Sequence, residues 1–133
     1  VRDFTIVHVT LDTPSGWGYV TNKFDAMASF GYQYTPLCFF GHTHSPVFYS
    51  KSSSVEVEES QTIEIETGKR YFANIGSVGQ PRDGDPRASY CIYDMGGQRM
   101  VNRRVEYDLK TTQQKIRDAG LPGMLADRLE LGK

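Results

Sequence analysis

Apolar and polar positions in this chain follow two different rhythms. Residues 4–9, Phe-Thr-Ile-Val-His-Val, are rich in β-branched side chains and predict a buried strand. A loop carrying Pro14, Gly16 and Gly18 follows. Asn22 then suits the N-cap of a helix over 23–30, with Asp25 at the third helical position and Gly31 as the stop. Phe24, Met27, Ala28 and Phe30 supply its apolar side. Pro36 leads into Leu37-Cys38-Phe39-Phe40, a continuous apolar run that suits a fully buried strand. Strand, helix and strand in this order predict a βαβ unit with parallel strands and a right-handed crossover.

Beyond residue 44 the spacing shortens to a strand rhythm. Val47-Phe48-Tyr49 reads as extended, and residues 51–54 as a polar turn. Val55-Glu56-Val57-Glu58 and Thr62-Ile63-Glu64-Ile65-Glu66 alternate apolar and acidic side chains. Each has one dry and one wet face, and together they predict a hairpin at the sheet edge. Outward glutamates there discourage edge-to-edge pairing. Further strands are expected at 70–75, 89–94 and 100–107. Thr111 and Gln114 have capping-box spacing, which predicts a helix over 112–119 broken by Gly120, Leu121 and Pro122. A short helix over 124–130 closes the chain. No internal repeat, low-complexity tract or linker interrupts it. The fold class is α/β, with a parallel start, an antiparallel finish and a helical C-terminus.

Bulk properties narrow the partners. The 133 residues suit one domain, and 38% apolar with 23% charged residues is ordinary globular composition. Fifteen basic against 16 acidic residues leave a net charge of −1. That balance provides no basic field for nucleic acid and no polybasic patch for a membrane. No signal peptide is visible and no apolar run approaches the ~18 residues of a membrane span, so the expected location is cytoplasmic. Cys38 and Cys91 each lie inside an apolar run and are expected as core thiols rather than a disulfide. The chain opens without methionine and enters a strand almost at once, as an incomplete domain would.

Chemistry concentrates in the three histidines. His8 lies near the end of the first strand, and His42 and His44 follow the second in Gly41-His42-Thr43-His44. Ligand sites in open parallel sheets collect beyond the C-terminal strand ends, where all three imidazoles are expected to meet. Gly41 permits a backbone conformation or close approach that other residues resist. The two imidazoles point the same way if the backbone is extended and splay if it turns. A lone histidine beside a strand is usually a hydrogen-bonded core residue, but three of three at one edge point to metal. Asp12, in the following loop, reads as a solvated residue. Trp17 and Tyr19 lie in that loop too, placed either to cover the core edge or to stack on a nucleobase.

Gly41-His42-Thr43-His44 after an apolar strand resembles the last metal-binding motif of the calcineurin-like metallophosphoesterases, and His8 resembles the histidine that precedes it. The segment Asn74 to Tyr90 (NIGSVGQPRDGDPRASY) looks like the loop and strand that follow in that family. The likeness is nearest to the small bacterial and archaeal YfcE-like, or diadenosine-tetraphosphatase-like, branch, where a proline is usual in place of Ile75. It spans residues 4–130. The family's D-x-H, G-D-x-x-D and G-N-H-[DE] motifs are absent. The resemblance therefore implies that residues 1–133 are a single partial domain, the C-terminal half of a phosphoesterase β-sandwich flanked by helices.

That resemblance implies hydrolysis of phosphomonoesters or phosphodiesters by a hydroxide activated between two divalent transition metals (manganese, iron, zinc, nickel or cobalt). His8 and His42 would bind one metal and His44 the other. Asn74 would tie the histidine loop to the next strand, beside Gly41. Arg82 and Arg87 would reach a substrate phosphate, or else pair with Asp83 and Asp85. Three neutral imidazoles cannot neutralise two dications, so the carboxylates must come from elsewhere and this chain alone is expected to be inactive. The implied partners are a phosphorylated small molecule or nucleotide and the missing N-terminal half, with homo-oligomerisation left open. The alternatives are a metal-free interaction module that needs a partner chain, and a structural zinc site using Cys38.

Overall fold

Three parallel strands organise the molecule, and the other elements are laid against them. The computed structural model describes residues 4–133. In chain order its elements are β1 (Phe4–Ile6), α1 (Lys23–Tyr32), β2 (Leu37–Phe40), β3 (Val47–Lys51), β4 (Val55–Glu58), β5 (Thr62–Glu64), β6 (Arg70–Asn74), β7 (Ala88–Asp94), β8 (Arg99–Val105), α2 (Leu109–Asp118) and α3 (Met124–Glu130). β1, β2 and β6 run parallel, and β3 and β4 continue the sheet antiparallel, in the order β1-β2-β6-β3-β4. A second, antiparallel sheet has the order β5-β8-β7.

Period-two alternation feeds two cores from the same strands. Cys38, Phe40, Tyr49 and Phe72 point to the face covered by α1, where they meet Ala26 and Phe30. Their neighbours Leu37, Phe48, Tyr71 and Ala73 point the other way, onto Ile63, Ile65 and Met100 of the second sheet. The continuous apolar runs of β2 and β6 are what a strand covered on both faces requires. The rings of Phe40 and Phe72 stack at 4.0 Å. Both cysteines are free; burial raises both thiols, that of Cys38 to about 12.

The mixed α/β class and the βαβ start are as expected, but several elements differ in detail. β1 is not buried: Ile6 is 73% exposed, because among the described residues β1 pairs only with β2 and forms the free edge of its sheet. α1 does not stop at Gly31. It runs to Tyr32, where Arg70 donates to the carbonyls of Phe30 (2.8 Å) and Gln33 (2.9 Å) and supplies the C-terminal cap. Asn22 does cap its start, accepting from the amides of Phe24 and Asp25. Its buried face is Ala26, Ser29 and Phe30, while Phe24 and Met27 face solvent.

The two acidic alternating segments do not form a hairpin. β4 pairs with β3, whereas β5 crosses to the other sheet and pairs with β8. The reason is where their apolar faces go: Val55 enters the core under α1, and Ile63 and Ile65 enter the core between the sheets. At the C-terminus, Asp108 rather than Thr111 caps α2, accepting from the Thr111 amide at 3.0 Å. The α2–α3 pair is joined by Gln113, which donates to the Ala126 carbonyl at 2.9 Å. Among the described residues no helix is long and apolar enough to cross a membrane.

Phe72 contacts the helix-side core at 0% exposure, whereas Val57 of β4 is 52% exposed. Phe72→Ala is expected to cost about 3–5 kcal/mol of stability, and Val57→Ala within about 0.5 kcal/mol, read by urea denaturation.

Candidate functional site

The parallel ladder of β1 on β2 continues past both strand ends. Val7 donates its amide to the Phe39 carbonyl at 2.9 Å, and Gly41 donates to the His8 carbonyl at 3.1 Å. His8 is thereby brought beside the turn 41–44. Register adds a third strand, since Asn74 at the end of β6 lies opposite Phe40. The C-terminal ends of all three parallel strands therefore deliver His8, the histidine turn and Asn74 to one edge.

The turn is not extended. His42 has φ 69° and His44 has φ 61°, two of the three non-glycine residues with positive φ among those described. Left-handed backbone costs a non-glycine residue about 1–2 kcal/mol, and such positions gather at functional sites. Thr43 between them donates its amide to the Gly41 carbonyl at 2.9 Å. The backbone turns at each histidine, so the imidazoles splay rather than lie parallel.

Asn74 holds this turn. It is fully buried, and its Nδ2 donates to the Gly41 carbonyl (2.9 Å) and to Thr43 Oγ1 (2.8 Å). Its Oδ1 accepts from the Gly76 amide at 2.9 Å. Gly76 has φ 84°, and a Cβ there would lie 2.9 Å from Ser89 Cβ, so this position requires glycine. Gly41 does not: a Cβ would meet only the His8 carbonyl at 3.7 Å, an ordinary contact. Contrary to expectation, Gly41 acts through its backbone, which links His8 to Asn74.

Two of the three imidazoles meet. His42 Nδ1 lies 3.1 Å from His8 Nε2. Two ring nitrogens each about 2.0–2.1 Å from one cation stand about 3.0–3.4 Å apart at angles near 90–109°, so this pair fits one transition-metal ion. His42 Nε2 is buried and has no hydrogen-bond partner. His44 is held separately: its Nδ1 bonds the Gln80 carbonyl at 2.9 Å, leaving Nε2 as the free donor atom. A ligand histidine whose other nitrogen is tied to a backbone carbonyl is the usual outer-shell arrangement. Desolvation first, then His8, His44 and Arg82, hold the His42 imidazole below its ordinary pKa, which favours the uncharged form that metal ligation uses.

The donor set is incomplete. Among the described residues no three His, Cys, Asp or Glu side chains group to hold a metal ion. Asp12 is occupied with Ser29 Oγ at 3.3 Å, anchoring its loop to α1. Cys38 is fully buried in the helix-side core, which removes it as a zinc ligand. Arg87 is engaged by Asp85 through Nε (3.0 Å) and Nη2 (2.6 Å). Asp83 pairs instead with Arg104, which also donates to the Arg87 carbonyl at 3.1 Å. Arg82 makes no ion pair among the described residues, and its amide donates to the His44 carbonyl at 3.1 Å.

Sequence reasoning had no means of finding Gln80 or Arg128. Gln80 orients His44 through a backbone carbonyl, which any residue type offers. The Gln80 side chain is gripped by Arg128 Nη2 at 2.8 Å and by the Lys133 carbonyl at 3.1 Å. The loop behind His44 is thus clamped to the end of α3.

No family model matches the chain. It is 38% identical over 126 residues to an uncharacterized protein of Methanocaldococcus jannaschii, across 95% of this chain and 50% of that protein. It is similar to the crystal structure of a metallophosphoesterase from Sphaerobacter thermophilus, with 41% identity and a TM-score of 0.88 over 98% of this chain and 56% of that one. The chain thus spans about half the length of these relatives. Over the matched residues it shares the fold of that metallophosphoesterase.

Asn74→Ala removes both donors and the acceptor that hold the turn, and should cost about 2 kcal/mol or more, read by denaturant unfolding. The Arg87 fork, aided by Arg104, holds the Asp85 carboxyl down to about 2, against an ordinary 3.8. A carboxyl lowered on folding stabilises the fold above its free pKa and loses that contribution as pH falls through the lowered one. Stability should therefore drop between pH 3.8 and about 2, and Asp85→Asn should flatten that limb in an acid titration followed by circular dichroism.

Proposed function

We propose that this chain is the C-terminal part of a phosphoester hydrolase that works with two divalent cations, His8 and His42 holding one and His44 the other. The observation that carries the reading is the His8–His42 nitrogen pair at 3.1 Å, reached through strained backbone. Folding stability alone does not call for two left-handed histidines. A turn kept in that state by a buried asparagine is one whose side-chain directions matter.

The nitrogen donors suit manganese, iron, zinc, nickel or cobalt. Such a pair of ions supplies Lewis acidity toward the phosphoryl oxygens and lowers the pKa of coordinated water. The chain's own contribution is to present imidazoles, fix their directions and keep water from His42 Nε2. Asn74 and the Gln80 carbonyl do the fixing. Arg82 is the exposed cation available to an incoming phosphate, since Arg87 is occupied by Asp85. The ligand carboxylates that two dications need would come from the other part of the domain.

The surface beside β1 supports that reading. A cleft of about 580 Å³ opens at the free edge of β1, lined by Phe4, Ile6, Phe39, Ile75, Cys91 and Tyr93, with His8 and Gly41 at its end. Apolar side chains beside an unpaired strand edge invite a further element of the sandwich. The relatives are about twice as long as this chain, which supports a covering half of similar size. A phosphorylated small molecule or nucleotide would enter where the two halves meet.

A metal-free interaction module is the second reading, favoured by the lack of any three-ligand group among the described residues. Calorimetric titration with Zn²⁺ separates the two. The proposed reading expects one cation bound by the chain and affinity reduced at least about tenfold in His8→Ala and in His42→Ala. Absence of Zn²⁺ binding, or binding indifferent to both substitutions, would favour the module.

A further inference from the structure

We infer that Trp17 and Tyr19 form a stacking platform beside His42 for a planar aromatic ring joined to a phosphate. The phosphate end of this inference rests on the metal-centre reading above; the ring end rests on the aromatic geometry alone. Tyr19 lies with its ring centroid 4.4 Å from that of His42, tilted by 31°, and Trp17 lies 5.8 Å away, tilted by 49°. Two aromatic side chains thus gather on the imidazole that also meets His8.

Neither ring packs into a core formed by the described residues. Trp17 is 79% exposed and Tyr19 is 55% exposed, whereas Val20 immediately after them is 2% exposed and enters the helix-side core. The loop therefore has its own core anchor and does not need the two rings for it. Leaving a tryptophan almost wholly in water forgoes a large hydrophobic gain, which a planar ligand would recover. Most of the Trp17 surface remains exposed and able to receive a ligand.

The platform is also held in place. Thr10 Oγ1 and Thr13 Oγ1 bond at 3.0 Å, and Gly16 donates its amide to the Thr13 carbonyl at 2.9 Å. Leu11 donates its amide to Ser29 Oγ at 3.1 Å, which ties the loop to α1. Rings mounted on an internally bonded loop lose less freedom on binding. Arg82, exposed and free of ion pairs among the described residues, donates its amide to the His44 carbonyl at 3.1 Å, so its cation is mounted beside the histidine turn. An anion sink beside an aromatic plane selects ligands that carry both a phosphate and a flat ring, as nucleotides and aryl phosphates do. Sugar phosphates have only the first.

Trp17 is the single tryptophan of the chain, so its fluorescence reports this site alone. The chain is titrated with AMP, phenyl phosphate, ribose 5-phosphate and inorganic phosphate, exciting at the red edge where adenine does not absorb. AMP or phenyl phosphate should quench Trp17 saturably, and ribose 5-phosphate and inorganic phosphate should not. Response to AMP alone identifies a nucleobase, and response to both a general aryl site. Tyr19→Leu, at an exposed position, should weaken AMP binding by about tenfold. An AMP response no different from that of ribose 5-phosphate overturns the platform, even if Zn²⁺ binding at the histidines is intact. Selective AMP quenching without Zn²⁺ binding would keep the platform and sink the metal-centre reading instead.

Discussion

The buried amide of Asn74 is the contact on which the histidine turn depends. Its two donors and one acceptor are all satisfied, by Gly41, Thr43 and Gly76, so it joins the turn 41–44 to the loop after β6. A side chain with fewer polar atoms would leave buried groups unpaired, each costing about 1–3 kcal/mol. That is of the same order as the left-handed strain at His42 and His44. The turn and the asparagine therefore stabilise one another, and neither conformation is explained without the other.

Around that contact the site is assembled from pieces far apart in the chain. The ladder beyond β1 and β2 brings His8 to Gly41, and the β2–β6 register brings Asn74 opposite Phe40. The loop 76–87 supplies the carbonyl that orients His44, and α3 holds that loop through Arg128 and Gln80. The Gly84 amide adds a bond to the Gly132 carbonyl at 3.0 Å. Parallel strands permit this convergence because their C-terminal ends lie on one side, whatever the sequence separation between them.

The site is asymmetric in its chemistry. It offers nitrogen donors, an exposed guanidinium and two aromatic rings, and it lacks grouped carboxylates among the described residues. The apolar cleft beside β1 shows the same one-sidedness in packing. Both features fit the proposed reading, in which another part of the domain completes this face. Relatives about twice the length of the chain are consistent with that reading.

Local pattern by itself determined much of this protein. The βαβ start, most strand positions, the Asn22 cap and the short final helix follow from apolar spacing and capping chemistry, which act over a few residues. The histidine motif marked the candidate site because metal-type donors after a buried strand are recognisable in one dimension. Tertiary structure alone decided the partner of each acidic strand, since β4 and β5 carry the same alternation and differ only in which core lies beneath them. It also decided that His42 meets His8 while His44 meets the Gln80 carbonyl, and that Arg104, not Arg82 or Arg87, takes Asp83. Those outcomes depend on backbone carbonyls, register and the turn at 41–44, and none of these is written in residue identity.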